Sequence, residues 1–343
     1  MKKIIAVLIT VLLLTACAQS PETQTPLPAD LPEDSGERLQ VVATIFPQFD
    51  FVRQIAGDRV DLTMLISPGA ESHSFEPSAR DIITLNNADL IIYVGTEVWV
   101  DYVLASLDSQ TLYSVALIEF VDVIHHDHDH DHHHGHDNVH SHDYDHGHRH
   151  DHDNGHDHDH DHGHDHHHEY DEHVWTCPRN AIIIVRALTY ILAELDPGNA
   201  DFFRDNAQSF IAELEALDQA YAEVVAAGVR DTIIFGDRFP FRYLASTYGL
   251  NYYAAFPGCA TDTQASPATI AFLITQVREQ EIPVVFHIEF SNRQIAQTIA
   301  GEAGARVLEL HSAHNLSHAD FNAGVTFVDI MTRNLEQLRE ALN

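Results

Sequence analysis

The chain has 343 residues, with 18 Lys and Arg against 52 Asp and Glu, and a formal charge of −34. A polyanion of this strength does not suit nucleic acid and does suit cations. Its length is enough for two medium domains even after a low-complexity tract is set aside. At the start, two lysines precede an apolar run from Ile4 to Leu14, followed by Thr15-Ala16-Cys17. A charged start, a short apolar core and small residues at the cut predict a secretory signal over 1–17. The run is too short to span a bilayer in the usual way. Residues 18–38, rich in Pro, Thr, Ser and Glu, read as a flexible tether.

The body opens with an apolar strand, Leu39–Ile45, and a helix, Phe46–Ala56, that stops at Gly57. A second strand, Asp61–Ile66, runs into Ser67-Pro-Gly-Ala-Glu-Ser-His73-Ser-Phe-Glu-Pro77. Ser78 then caps a helix to Asn87. A buried strand, Leu90–Val94, ends at Gly95. Strands alternating with helices imply a parallel sheet, so the fold class is α/β. Ligands of such sheets sit at the carboxyl ends of the strands, and His73 lies in a loop at one such end.

Between His125 and His168 lie 22 of the 28 histidines, interleaved mostly with Asp and Gly. This tract has almost nothing apolar to bury and is expected to remain disordered and solvated. Its imidazoles and carboxylates suit zinc, and also nickel and copper. His125, His126, His128, His130, His132, His133 and His134 open it; His166, His167 and His168 close it. A low-complexity acidic spacer is the plainer alternative.

From Pro178 the pattern turns helical. Asn180–Leu195 is one helix and Ala200 to about Ala226 a second, long and amphipathic, able to join two lobes. Alternation then returns: strand Thr232–Phe235, helix Phe241–Tyr248, extended Asn251–Phe256 and helix Pro267–Gln280. Strand Val284–Glu289, helix Arg293–Ala303, strand Arg306–Leu310 and a terminal helix Ala323–Leu342 follow. No glycine-rich phosphate loop, nucleophile elbow or HExxH motif occurs. Cys177 and Cys259 could form a disulfide outside the cell, or ligate metal.

The motifs SPGAESHSFEPSARDI, NNADLIIYVG, DEHVWTCPRNA and ELDPGNADFFRDNAQSFIAELEALD, in that order around the His tract, resemble the ZnuA/TroA-like (cluster A-I, cluster 9) metal-binding lipoproteins of bacterial ABC importers. Leu14-Thr15-Ala16-Cys17 likewise resembles a lipobox, which makes Cys17 the lipidated first mature residue; an ordinary signal peptide is the alternative. The resemblance implies two small parallel-sheet lobes, 39–197 and 227–343, joined by a rigid linking helix, 198–226. It implies a Zn2+ ion held between the lobes, with the His-rich loop as a mark of the zinc members. It also implies a monomer anchored outside the cytoplasm, on the cytoplasmic membrane's outer face or in the periplasm, and handing zinc to an ABC permease with its ATPase.

Carried over position by position, the first ligand is His73, with Glu71 beside it, and the second is His173. The third belongs in an F-H-D segment, but Phe235-Gly236-Asp237 has Gly in the place of His. His311 fills the fourth position. Glu289, His287 and Asp237 are the candidates to replace the missing imidazole, and the preferred set is His73, His173, His311 and Glu289. His314 and His318 are read as surface residues. The rival functions are a manganese or iron importer component, a surface zinc buffer without a permease, and an exported zinc hydrolase with Glu289 as base.

Overall fold

The computed structural model describes residues 38–107, 112–125, 170–256 and 265–343. Cys17, Cys259 and the tract histidines His126, His128, His130, His132, His133, His134, His166, His167 and His168 lie outside the described residues. Of the lipidation site, the Cys177–Cys259 pair and the auxiliary metal loop, only Cys177 and His125 fall within the described residues.

Strands β1 (Leu39–Ala43), β2 (Val60–Met64), β3 (Leu90–Tyr93) and β4 (Tyr113–Ala116) form a parallel sheet in the order β2-β1-β3-β4. Helices α1 (Phe46–Ala56), α2 (Ala79–Asn86) and α3 (Val98–Ser106) connect them. α2 starts where the sequence predicts. Ser78 accepts from the Asp81 amide, and the Asp81 carboxylate accepts from Ser78 in return. Helices α4 (Pro178–Leu195) and α5 (Ala200–Ala227) follow. The 28 residues of α5 run about 42 Å.

The second sheet repeats the first, with β5 (Thr232–Arg238), β6 (Asn251–Phe256), β7 (Val284–His287) and β8 (Arg306–Glu309) in the order β6-β5-β7-β8, all parallel. Helices α6 (Arg242–Tyr248), α7 (Pro267–Glu279) and α8 (Gln294–Ala303) link them, and α9 (His318–Asn322) and α10 (Phe327–Leu342) close the chain. The expected terminal helix from Ala323 begins only at Phe327. Gly324 turns left-handed at φ 73°, and Thr326 with Asp329 then builds a fresh capping box.

α5 packs against α1 and α4 of the first lobe and against α6 and α10 of the second. One core therefore runs through both lobes. Phe51 meets Phe210 of α5 and Phe327 of α10, with ring centroids 6.0 and 5.0 Å apart. The first lobe is also tied to the second by polar contacts. The buried Asp50 carboxylate accepts from the Phe327 amide at 2.6 Å, and Arg53 donates to the Val325 carbonyl at 3.1 Å. Desolvation raises the Asp50 pKa, against the pull of Arg53 and the Phe327 amide. On the sheets' carboxyl side, Asn315 donates to the Ser67 and Ala70 carbonyls, and the Gly69 amide donates to Leu316. Trp175 reaches the Ser312 carbonyl at 2.8 Å.

Candidate metal centre

His73 leaves the loop after β2. Its Nδ1 meets Glu71 Oε1 at 2.8 Å, which turns Nε2 toward Glu172 Oε1, also at 2.8 Å. His173 opens the short turn Val174–Thr176 before α4 and is 3% exposed. Its backbone N–H donates to Asp171 Oδ1 at 2.9 Å, and its Nδ1 lies 3.0 Å from the same oxygen. Its Nε2 lies 3.5 Å from Glu172. In both residues a carboxylate holds Nδ1 and leaves Nε2 facing a common centre. Metal-binding imidazoles use this carboxylate–histidine arrangement to fix ring and tautomer.

The loop after β8 supplies the third imidazole, and it is His314. Its ring centroid lies 4.9 Å from that of His73, 5.6 Å from His173 and 5.1 Å from Trp175. One donor atom from each of His73, Glu172, His173 and His314 falls within 4.8 Å of all the others. Among the described residues this is the group suited to hold an ion.

The electrostatics fit a cation. Burial, and then the charges of His73 and His173, hold His314 down to about 3, so its imidazole is neutral at pH 7. Burial works against charge on Glu172. The hydrogen bond from His73 and the positive fields of His173 and His73 outweigh it, and the carboxyl stays well below its ordinary range. The hydrogen bond from His73 takes Glu71 to about 2, with Arg238 adding to the effect. The Thr96 hydroxyl donates to the second oxygen of Glu172 at 3.0 Å. A cavity of about 690 Å3 opens on one side of the group, lined by Phe75, Trp99, Tyr102 and Tyr170. A pocket of about 30 Å3, lined by His73, His173, His314, Glu71, Arg238 and Glu289, has room for one ion or water.

The other expected ligands are not among these four residues. His311 is not in the group: its Nδ1 accepts from the Ala313 amide at 2.9 Å. Glu289 is not in the group either. Its carboxylate accepts from the Ser312 amide at 2.7 Å and from the Ser312 hydroxyl. His287 is buried, and its Nδ1 donates to the Ile288 carbonyl at 2.7 Å. Asp237 is buried and accepts from the amides of Arg238 and Ile288. Glu71 supports His73 from behind. Cys177 is buried and donates to the Thr247 hydroxyl at 3.2 Å.

His314 was expected at the surface and Glu172 was not singled out. The nearness of Glu172 to His173 was the available signal for the acid. For His314 the carboxyl-end rule applied as well as it did to His311, three residues earlier. Gly236 has a steric reason: a Cβ there would lie 2.3 Å from Ala296 Cα and 2.5 Å from Ala296 N, both backbone atoms of α8. No side chain fits, so no ligand can come from that position.

The family model described as ZnuA, zinc-uptake complex component A, periplasmic, matches residues 41–341. The chain is 30% identical over 334 residues to the high-affinity zinc uptake system protein ZnuA of Bacillus subtilis, covering 96% of this chain and 94% of that one. It is 28% identical over 314 residues to the zinc-binding lipoprotein AdcA of Streptococcus pneumoniae, covering 88% of this chain and 56% of that one. It thus spans about half the length of the AdcA relatives it matches. The solved Zn(II)-bound ZnuA-like domain of S. pneumoniae AdcA superposes with a TM-score of 0.68 at 26% identity, over 89% of this chain and 99% of that one. The metal-dependent lipoprotein YcdH of B. subtilis gives 0.69 at 27%, with the same coverage.

Proposed function

We propose, for a chain that belongs to the ZnuA family of periplasmic zinc-uptake components, that it captures Zn2+ outside the cytoplasm and delivers it to an ABC permease with its ATPase. The observation that carries this reading is the meeting of three imidazoles and one carboxylate, drawn from loops of both lobes, within 4.8 Å. Zinc takes about four such donors near 2.0–2.2 Å in a tetrahedron. Three nitrogens favour it over manganese, which prefers oxygen. His73, Glu172, His173 and His314 are the ligands in this reading, replacing His311 and Glu289 of the sequence-based set.

The elements hold these groups before the ion arrives. Glu71 and Asp171 fix two rings, Thr96 fixes the carboxylate, and a neutral His314 presents a lone pair without first losing a proton. Four protein donors close the shell and leave no position for an activated water, so this is a carrier and not an enzyme. A signal over 1–17, a lipid on Cys17, a tether over 18–38 and monomeric lobes 39–197 and 227–343 about helix 198–226 complete the proposal. No described helix is long and apolar enough to cross a membrane. The His tract feeds the inter-lobe site; its first residue, His125, pairs with Tyr170, just beyond its end, as an antiparallel bridge.

Calorimetric titration of the soluble chain and of a tract-deleted form tests the reading. One tight Zn2+ site should survive the deletion. Loss of the only tight site with the tract would refute an inter-lobe site.

A further inference from the structure

The loop Leu310–Leu316 that delivers His314 is strained at one residue. Ala313 is 0% exposed and sits at φ 59°. A residue with a Cβ stays in this left-handed region only when its surroundings hold it there. Here each backbone amide from His311 to His314 has a side-chain acceptor. The His311 amide donates to Asn334 Oδ1 at 2.8 Å, and Asn334 Nδ2 returns a bond to the His311 carbonyl at 2.7 Å. The Ser312 amide donates to Glu289 Oε2 at 2.7 Å, the Ala313 amide to His311 Nδ1 at 2.9 Å and the His314 amide to Ser312 Oγ at 3.2 Å. The Ser312 hydroxyl donates in turn to Glu289 Oε1. Glu289 thus reaches the amide of His314 through a single hydroxyl.

We propose that Glu289 and His311 are positioning residues: they hold Ala313 left-handed and so aim the His314 imidazole at the metal group, without touching the ion. Both oxygens of Glu289 and the Nδ1 of His311 accept a hydrogen bond from this loop, although Glu289 also lines the small pocket beside the imidazoles. The carboxylate is 8% exposed, in a crowded setting where a different loop conformation would leave it without its two donors. This inference rests on the reading of His314 as a ligand.

The test uses the whole chain and four variants: E289Q, S312A, E289Q/A313G and H314A. Zn2+ affinity is measured by competition with a chromogenic chelator, and the donor set by the visible spectrum of bound Co2+. In E289Q the amide oxygen can still accept from the Ser312 N–H, but the amide nitrogen turns the Ser312 hydroxyl into an acceptor, so the charge-assisted bond from that hydroxyl is lost. Affinity should fall by about 10- to 100-fold, the range for supports behind metal ligands, with the Co2+ spectrum unchanged. Glycine adopts the left-handed region freely, so A313G should recover about fivefold of the loss. S312A, which removes only a hydroxyl, should show a smaller loss with the same spectrum, and serves if E289Q does not fold. A changed Co2+ spectrum in E289Q would make Glu289 a direct ligand and overturn the proposal. Wild-type affinity in E289Q and S312A would overturn it too, as would a loss that A313G leaves untouched. H314A separates the two levels: if it binds as tightly as wild type, the ligand assignment itself fails.

Discussion

Acidification should destabilise the metal-free protein through His314 in a window where the carboxylates beside it, Glu71 and Glu172, contribute little. The unfolded His314 titrates near its ordinary 6.5, and the folded one near 3, because its half-buried ring is desolvated and faces His73. Between these values the unfolded chain binds a proton that the folded chain refuses, so stability falls as pH falls. At pH 5 the unfolded residue lies 1.5 units below its ordinary pKa, worth about 2 kcal/mol relative to pH 7. For a chain of this size that is about 4 °C in Tm. Glu172 and Glu71 have depressed values, so their stabilisation is present above the ordinary carboxylate range of about 4.5 and is lost only as pH falls below it. The assay is a thermal melt in EDTA at pH 7 and pH 5, for wild type and His314→Gln. The wild type should lose about 4 °C more than the variant over that interval. Equal losses would show that His314 is not held neutral in the fold, and the reasoning about its burial would fail.

Removing a donor should be costly. Glu172→Ala should weaken Zn2+ binding by more than about 100-fold, beyond the usual effect of a supporting residue, as read by chelator competition. Asp171→Ala, which frees Nδ1 and the amide of His173, should weaken it by about 10- to 100-fold while Co2+ keeps its spectrum. Gly236→Ala should destabilise the second lobe by about 3 kcal/mol or more, because the added methyl meets the α8 backbone rather than a flexible side chain; urea melts measure this. Zn2+ occupancy should fall between about pH 7 and 5 as protons compete for the imidazoles, followed by equilibrium dialysis.

The fold was legible because its signals were local. Period-2 and continuous apolar runs marked β1, β3, β5 and β7, and the apolar stripe of α5, from Phe203 through Phe210, Leu214 and Tyr221 to Val224, is buried. β4 and α3 were missed. β4 lacks the continuous apolar run of the equally short β3 and β7, carrying an exposed Ser114 between half-buried neighbours, and the β-branched Val98, Val100 and Val103 of α3 give no strong helical preference. At the metal centre, the loops holding His73 and His173 were found from their motifs. The choice between His311 and His314 was beyond a sequence reading, because it turns on one left-handed alanine. That turn carries His314 toward His73 and His173 and folds the His311 ring back onto the Ala313 amide. Glu289 lines the small pocket beside the imidazoles, and its oxygens accept from Ser312. The missing third imidazole became intelligible only when Gly236 was seen against Ala296.

X-ray absorption at the zinc edge, on wild type and on the H314A and H311A variants, bears most directly on the proposed site. Wild type should show three imidazoles at about 2.0–2.1 Å and one carboxylate oxygen at about 2.0–2.2 Å. H314A should lose one imidazole and H311A none. An imidazole lost from H311A, with H314A unchanged, would contradict the account.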